Sequence, residues 1–157
     1  MKKTIPQVEI RVLNAGKLHG FLGQTTPETL RKDIPALSAR YHSLLESRAG
    51  HLLPLYVLTR DPDPSGRCTL FFGGPKPHPG LESIEMPAGP YARIVVRPKY
   101  GLFWDKAIAE TKQWFYSQWL PNSPYRALDI IFEHHTEHTT AKQPTLELFF
   151  ALEKIQK

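Results

Sequence analysis

One carboxylate, Glu133, is set inside an otherwise apolar run that extends from Ala127 to His134. Such a side chain either lies on the solvent-exposed face of a half-buried strand or points into a cavity, where an unpaired charge is costly. In a cavity, desolvation raises the pKa of a carboxyl group, and a bound cation restores its charge. The same group could act as a general base. We therefore place a candidate site at Glu133, with a solvated strand acid as the alternative.

Three histidines lie close together near this run, as the ligands of a metal site often do: His134, His135 and His138. Neighbouring residues of a strand point to opposite faces, so His134 and His135 are not expected to share a ligand. His138 falls in a predicted polar loop, and neither an HExxH helix nor a cysteine pair accompanies these residues. We predict no metal site and no cofactor, and we expect Cys68 to be a small buried hydrophobe.

An amphipathic helix, predicted from Phe103 to Trp119, precedes the strand of Glu133. Aromatic and aliphatic residues recur on one arc at helical spacing, and charged or polar residues fill the other arc. Pro121 ends the helix, because proline has no N–H to donate and clashes with the preceding turn. Residues 122–124 form a turn. The helix, this turn and the strand are therefore the elements that must position Glu133.

The order of predicted elements is similar in the two halves of the chain. Each half has extended segments, a helix and two strands, with a Pro/Gly-rich linker from Gly73 to Gly80 near the midpoint. The first helix is predicted to have Asp33 as its N-cap and Gly50 at its C-terminal end. Strands are predicted at residues 8–12, 18–23, 55–59, 68–72, 82–86, 91–97, 129–134 and 145–153.

This order predicts an α+β fold of tandem βαββ modules within one domain, 1–157, whose halves are roughly 1–78 and 79–157. A cleft between two such halves is a common place for a pocket. On the last strand, Glu147, Phe149 and Ala151 are expected on one face, and Leu146, Leu148 and Phe150 on the other.

The composition is that of an ordinary soluble globular protein, with 41% hydrophobic and 22% charged residues. The net charge of +5 comes from 20 Lys+Arg against 15 Asp+Glu, but the basic residues are scattered, so we do not expect nucleic-acid binding. No apolar run reaches membrane-spanning length, and the N-terminus lacks the apolar core of a secretory signal. A single cysteine fits a reducing compartment, and we expect a cytoplasmic protein without membrane contact.

Four motifs, in order, resemble those of the GyrI-like small-molecule-binding domains, also called the bacterial transcription activator effector-binding domain of Rob-type and BmrR-type regulators. Met86–Ala92 (MPAGPYA) is similar to the family's iPAGxYA turn. Trp119–Tyr125 (WLPNSPY) resembles its WLPxSGY helix exit, with Pro124 in place of the usual glycine. Ile131–Glu133 (IFE) resembles its xFE strand, and Leu146–Leu152 (LELFFAL) its final strand.

The resemblance implies a shared antiparallel concave sheet, two helices and a central pocket that the strand acid, here Glu133, faces. It further implies a small-molecule ligand, aromatic or cationic and drug-like. Some stand-alone members look like hydrolases of electrophilic small molecules that use this acid, and others resemble gyrase inhibitors. No helix-turn-helix segment is predicted, so a transcription factor by itself is not expected.

Aromatic side chains are candidates for the rest of the pocket, because flat rings around a carboxylate suit a planar cation. In this sequence they are Tyr56, Phe72, Tyr91, Trp119, Tyr125 and Phe149. Phe149 stands where the family often has an aromatic residue with a hydroxyl group. The sequence therefore predicts a small-molecule-binding protein built around Glu133. The alternatives are a hydrolase with Glu133 as general base and a protein-interaction module with a partner such as DNA gyrase.

Overall fold

The computed structural model describes residues 6–45, 54–98, 104–136, 139 and 144–155. The elements in chain order are β1 (Glu9–Leu13), β2 (Gly16–Thr25), α1 (Leu30–Leu44), β3 (Leu55–Arg60), β4 (Cys68–Gly74), β5 (Glu82–Met86), β6 (Gly89–Val96), α2 (Trp104–Trp114), β7 (Tyr125–His135) and β8 (Leu146–Lys154). The strands form one antiparallel sheet in the order β1-β6-β8-β7-β3-β4-β2-β5. The predicted α+β fold is confirmed.

The sheet has a twofold topology. The order strand, strand, helix, strand, strand occurs twice, first from β1 to β4 with α1 and then from β5 to β8 with α2. When each strand is replaced by its counterpart in the other half, the sheet order is the same read from the opposite edge. The central pair is β3 and β7, one strand from each half. Each predicted βαββ unit is preceded by one more strand that pairs with the other half, β1 with β6 and β5 with β2. The predicted halves separate at the connection between β4 and β5.

Helix α1 begins at Leu30, three residues before the predicted cap. The prediction of Asp33 as N-cap was wrong, because Thr29 occupies that position and Asp33 lies in the first turn. The Asp33 carboxylate instead accepts hydrogen bonds from the hydroxyl groups of Thr25 and Thr29, both at 2.8 Å. These bonds lower the pKa of Asp33 below its ordinary value. The predicted C-terminal end at Gly50 lies outside the described residues.

Helix α2 ends at Trp114, and the chain continues through a π-helical turn, Phe115–Trp119, and a short 3₁₀ turn, Leu120–Asn122. The i→i+5 bonds of a π turn widen the helix, and the rings of Phe115 and Trp119 stack on each other with centroids 5.2 Å apart. Phe115 also stacks on Phe150 at 3.8 Å. The π turn thus places the Phe115 ring against β8, with Trp119 stacked on Phe115, where the sequence predicted a continuous α-helix.

Both helices pack on one face of the sheet. Under α1 lie Val57, Leu70 and Phe72, whereas Ile94, Leu148 and Phe150 pack with the residues of α2. The opposite face carries a separate apolar cluster. Its members include Leu58, Phe71, Tyr91, Phe132, Phe149 and Ala151. The predicted alternation along β8 is thus confirmed. Phe149 and Ala151 lie on the face away from the helices, and Leu146, Leu148 and Phe150 lie on the helix face.

Strand β7 is longer than predicted and begins at Tyr125 rather than Asp129. Its pairing with β8 shifts between Ala127 and Ile131, as in a β-bulge. Within this bulge Asp129 has a φ of 57°, in the left-handed region that few non-glycine residues adopt. Because the bulge interrupts the alternation of apolar residues, the sequence pattern showed only the part of the strand beyond it.

Candidate functional site

A narrow crevice opens between the two helices, above the central strand pair. It is lined by Leu30 and Ile34 of α1, Lys112 of α2, Val57 and Thr59 of β3, and Ile131 and Glu133 of β7. An ion pair between Arg31 and Asp105, with Arg31 Nε 3.3 Å from the carboxylate, joins the starts of the two helices. The crevice therefore lies at the seam of the two halves, where the twofold topology brings both helices together.

Glu133 is largely buried in this crevice, with 13% of its side chain exposed. Its Cα partner across the seam is Val57, and both side chains point toward the helices. Glu133 Oε1 lies 2.9 Å from Nε2 of His135, two positions along the same strand. Glu133 is therefore not a solvated strand acid, since most of its side chain is covered by the crevice lining and by His135.

The crevice holds both signs of charge but very little space. Lys112 and Glu133, whose side chains carry opposite charges, both line the crevice. The enclosed volume is about 10 Å³, which is room for about one water molecule. The closed crevice therefore has no room for a ligand larger than water.

The six candidate rings do not form one pocket. Only Phe72 shares the row of Glu133 across the sheet, through the pairs Phe72–Val57 and Val57–Glu133, and it is buried under α1 against Tyr41. Trp119, the last residue of the π turn, stacks on Tyr125 with ring centroids 6.2 Å apart. The other three rings lie on the sheet face away from the helices and Glu133: Tyr56, Tyr91 and Phe149.

A polar network crosses that opposite face. Glu147 accepts a hydrogen bond from Arg93 Nε and lies 2.7 Å from Nδ1 of His134. Burial raises the pKa of Glu147, but the hydrogen bonds from Arg93 and His134 outweigh it and hold the pKa below its ordinary value. The His134 ring stacks on Tyr56 at 4.8 Å. As predicted, His134 and His135 point to opposite faces.

A second concavity of about 1320 Å³ runs along the outer side of α2. It is an open groove between the helix and strands β6 and β1, lined by side chains such as Val8, Val96, Thr111 and Trp114. It lies away from the seam, and Glu133 does not line it. No cluster of three or more His, Cys, Asp or Glu side chains suited to a metal occurs in the part of the chain that the structure describes.

Sequence reasoning missed three polar side chains beside the candidate carboxylate: Thr59, Lys112 and His135. The signal for His135 was present, because residues i and i+2 of a strand share a face. The positions of Lys112 and Thr59 beside Glu133 depend on how α2 and β3 pack against β7, and only the tertiary structure shows this packing.

Solved structures with the same fold include proteins that bind small molecules or DNA. SAV2435 bound to tetraphenylphosphonium has a TM-score of 0.69 at 13% identity, covering 94% of each chain. An integron cassette protein from Vibrio cholerae has a TM-score of 0.61 at 16% identity, covering 93% of this chain and 95% of its own. EcmrR in its complex with DNA has a TM-score of 0.65 at 12% identity, covering 96% of this chain and 58% of EcmrR.

No curated protein sequence matches the chain, and none of the described helices is long and apolar enough to cross a membrane. The model of the GyrI-like small molecule binding domain, however, matches residues 6–152. That match includes both helices and every strand except the last two residues of β8, and the structural likenesses agree with it. The chain therefore belongs to the GyrI-like small-molecule-binding domain family.

Proposed function

We propose that this protein binds an aromatic, cationic small molecule between its two helices, with Glu133 as the counter-charge. The observation that carries the proposal is the position of Glu133, a largely buried carboxylate in the crevice at the seam of the two halves. A buried carboxylate gains much from an incoming cation, because the low local dielectric strengthens their attraction.

The ligand needs space that the closed crevice does not have. Drug-sized molecules occupy sites of roughly 300–1,000 Å³, whereas the crevice encloses about 10 Å³. Between the two helices, the exposed Arg31–Asp105 pair is a weak link, because exposed ion pairs contribute little. Helix separation would uncover the aliphatic lining from Leu30, Ile34 and Ile131, and these side chains would cover the flat faces of a ligand.

The fold relatives support the ligand class without defining it. SAV2435 has the same fold and was solved with tetraphenylphosphonium, a bulky aromatic cation. In this chain Phe72 is the candidate ring that shares the cross-sheet row of Glu133, on the same face of the sheet. A ligand site on the opposite face would instead involve three other candidate rings, Tyr56, Tyr91 and Phe149. An experiment can therefore distinguish which face of the sheet binds the ligand.

A thermal-shift screen with tetraphenylphosphonium, planar aromatic cations and neutral aromatic analogues tests the proposal. We expect the cations to raise the melting temperature. By mass action, a ligand at a hundredfold excess over Kd raises the free energy of unfolding by about 2.7 kcal/mol. Neutral analogues should give smaller shifts, because they gain nothing from Glu133. An unchanged melting temperature with every cation would contradict the proposal. Hydrolysis with Glu133 as general base and association with gyrase stay predictions from the resemblance.

A further inference from the structure

Strand β1 forms one edge of the sheet. In the described parts of the chain it pairs with β6 alone, in register from Glu9–Arg93 to Leu13–Gly89. Exposed edge strands offer unpaired backbone N–H and C=O groups to another strand. The side chains on this edge are unusually apolar for an exposed strand, because 79% of Val12 and 38% of Ile10 are accessible.

The sequence of this strand complements itself. Reading outward from Ile10, the neighbours are Glu9 and Arg11, and the next positions are Val8 and Val12. In an antiparallel pair of two β1 strands centred on Ile10, Glu9 faces Arg11 of the second copy, and Val8 faces Val12 of the second copy. We propose that a second copy of this chain docks on β1 in this register and joins the two sheets across a twofold axis at Ile10.

The two faces of the joined strands carry different contacts. Ile10 is opposite Ala92 and points to the helix face together with Val8 and Val12, so three apolar cross-strand pairs form there. On the other face, Glu9 and Arg11 now pair within one strand at 2.7 Å. In the dimer they form two pairs between the copies, and Arg93, 3.1 Å from Glu9, stays beside each of them.

The other edge strand, β5, lacks this complementarity. Self-pairing centred on Ile84 would set Ser83 opposite Glu85 and Glu82 opposite Met86. Its exposed positions carry two glutamates and no basic residue, so self-pairing in this register forms no opposite-charge pair. The proposal is therefore specific to β1 and produces a closed twofold dimer rather than a chain of molecules.

Cysteine cross-linking tests the register directly. On a Cys68→Ser background, Ile10→Cys places two thiols opposite each other, within the Cα separation of about 4.4–6.8 Å that a disulfide needs. Val12→Cys is the matched control. In this register it faces Val8 of the second copy, so its own two thiols lie about 13 Å apart along the strands. With oxidised glutathione as oxidant, we expect rapid covalent dimer from Ile10→Cys and at least about tenfold slower dimer formation from Val12→Cys.

If dimers cross-linked only through random collisions in solution, Val12→Cys would react faster than Ile10→Cys, because position 12 is more exposed than position 10. Equal rates, or faster cross-linking of Val12→Cys, would overturn the proposal. A circular dichroism spectrum of each variant ensures that only folded protein is compared.

Charge exchange provides a second test with the full chain. Analytical ultracentrifugation should show the wild type in a monomer–dimer equilibrium, whereas Arg11→Glu and Glu9→Lys should each raise the dimer dissociation constant at least about tenfold, because like charges then face each other. Mixing the two variants should restore the dimer, since each lysine then faces a glutamate. A monomeric wild type, a mixture that fails to associate, or association that depends on Glu85 of β5 would each overturn the proposal.

Discussion

His135 Nε2 lies 2.9 Å from Glu133 Oε1 inside the crevice between the helices. The contact follows from strand geometry, because the two residues are two positions apart on β7 and so point to the same face. The carboxylate at the seam thus already has a hydrogen-bond partner within the protein. An incoming cation must compete with this partner, and it meets the basic side chain of Lys112 in the same crevice lining.

Lys112 should weaken the binding of cations. It lines the same crevice as Glu133, and Lys112→Met removes a positive charge while it keeps a long apolar side chain. We expect tetraphenylphosphonium to bind the variant about 0.5–1 kcal/mol more tightly at low salt, and the gain to shrink as salt screens the charges. Isothermal titration calorimetry at two ionic strengths measures the effect.

Lys106→Met is the matched control for Lys112→Met. Lys106 lies on the exposed side of the same helix, 4.0 Å from Glu110, and 72% of its side chain is accessible. The control removes the same net charge from α2 without altering the crevice. Equal gains in the two variants would mean that only the overall charge of the protein matters.

The glycines at one register pair should be indispensable for the first half of the sheet. Gly20 on β2 pairs with Gly73 on β4, and a Cβ on Gly20 would overlap the carbonyl group of Phe72. Because the clash is with backbone, no side chain can move to relieve it. We expect Gly20→Ala or Gly73→Ala to lower the free energy of unfolding by about 3 kcal/mol or more.

Gly16→Ala serves as the comparison in urea unfolding, because a Cβ there meets no atom within 4 Å. It should change the free energy of unfolding by less than about 0.5 kcal/mol. Wild-type stability in the Gly20 and Gly73 variants would show that β2 and β4 do not approach each other so closely.

Acid should destabilise the fold partly through Glu147. Its pKa is raised by burial but lowered further by the hydrogen bonds from Arg93 and His134, so the folded-state pKa lies below the ordinary value of 4.5. A carboxyl with a lowered pKa adds stability above its unfolded-state pKa, and this contribution is lost as the pH falls through the folded-state value. Unfolding free energies measured between about pH 6 and pH 3 should therefore fall less steeply in Glu147→Gln than in the wild type.

The exposed Glu85 provides the reference, as Glu85→Gln removes a carboxyl group from an edge strand. It removes the same charge as Glu147→Gln. Identical pH profiles of the two variants would mean that the network on the opposite face does not contribute to stability.

Much of the fold could be predicted from local patterns. Alternation gave β1 and β8, and helical spacing gave both helices. Local patterns did not give the exchange of β1 and β5 between the halves, because it depends on pairings far apart in the sequence. They also did not give the π turn at Phe115–Trp119. The start of β7 was missed because the bulge at Asp129 breaks the period-two pattern.

The sequence allowed one residue of the candidate site to be predicted, but not the set of residues that surround it. An acid in an apolar run pointed to Glu133, and the structure places it at the seam. The rings could not be assigned to a face, because a shift of one residue between paired strands moves every side chain to the other side of the sheet. Tyr56, for example, pairs with His134 rather than Glu133, and it therefore points away from the crevice.

The central claim is that ligand binds on the helix-covered face at Glu133, and two isosteric variants separate the two faces. Glu133→Gln removes the carboxylate in the crevice, whereas Glu147→Gln removes the one on the opposite face, beside Tyr56 and Phe149. Both keep the side-chain shape, and thermal unfolding confirms that each variant is folded before titration.

Calorimetric titration of the wild type and the two variants with tetraphenylphosphonium decides the matter. The account predicts that Glu133→Gln weakens binding by about 1.5–3 kcal/mol, the range for charge-assisted interactions, and that Glu147→Gln leaves the Kd within about twofold of the wild type. Unchanged affinity in Glu133→Gln, above all together with a loss in Glu147→Gln, would contradict it and place the ligand on the other face of the sheet.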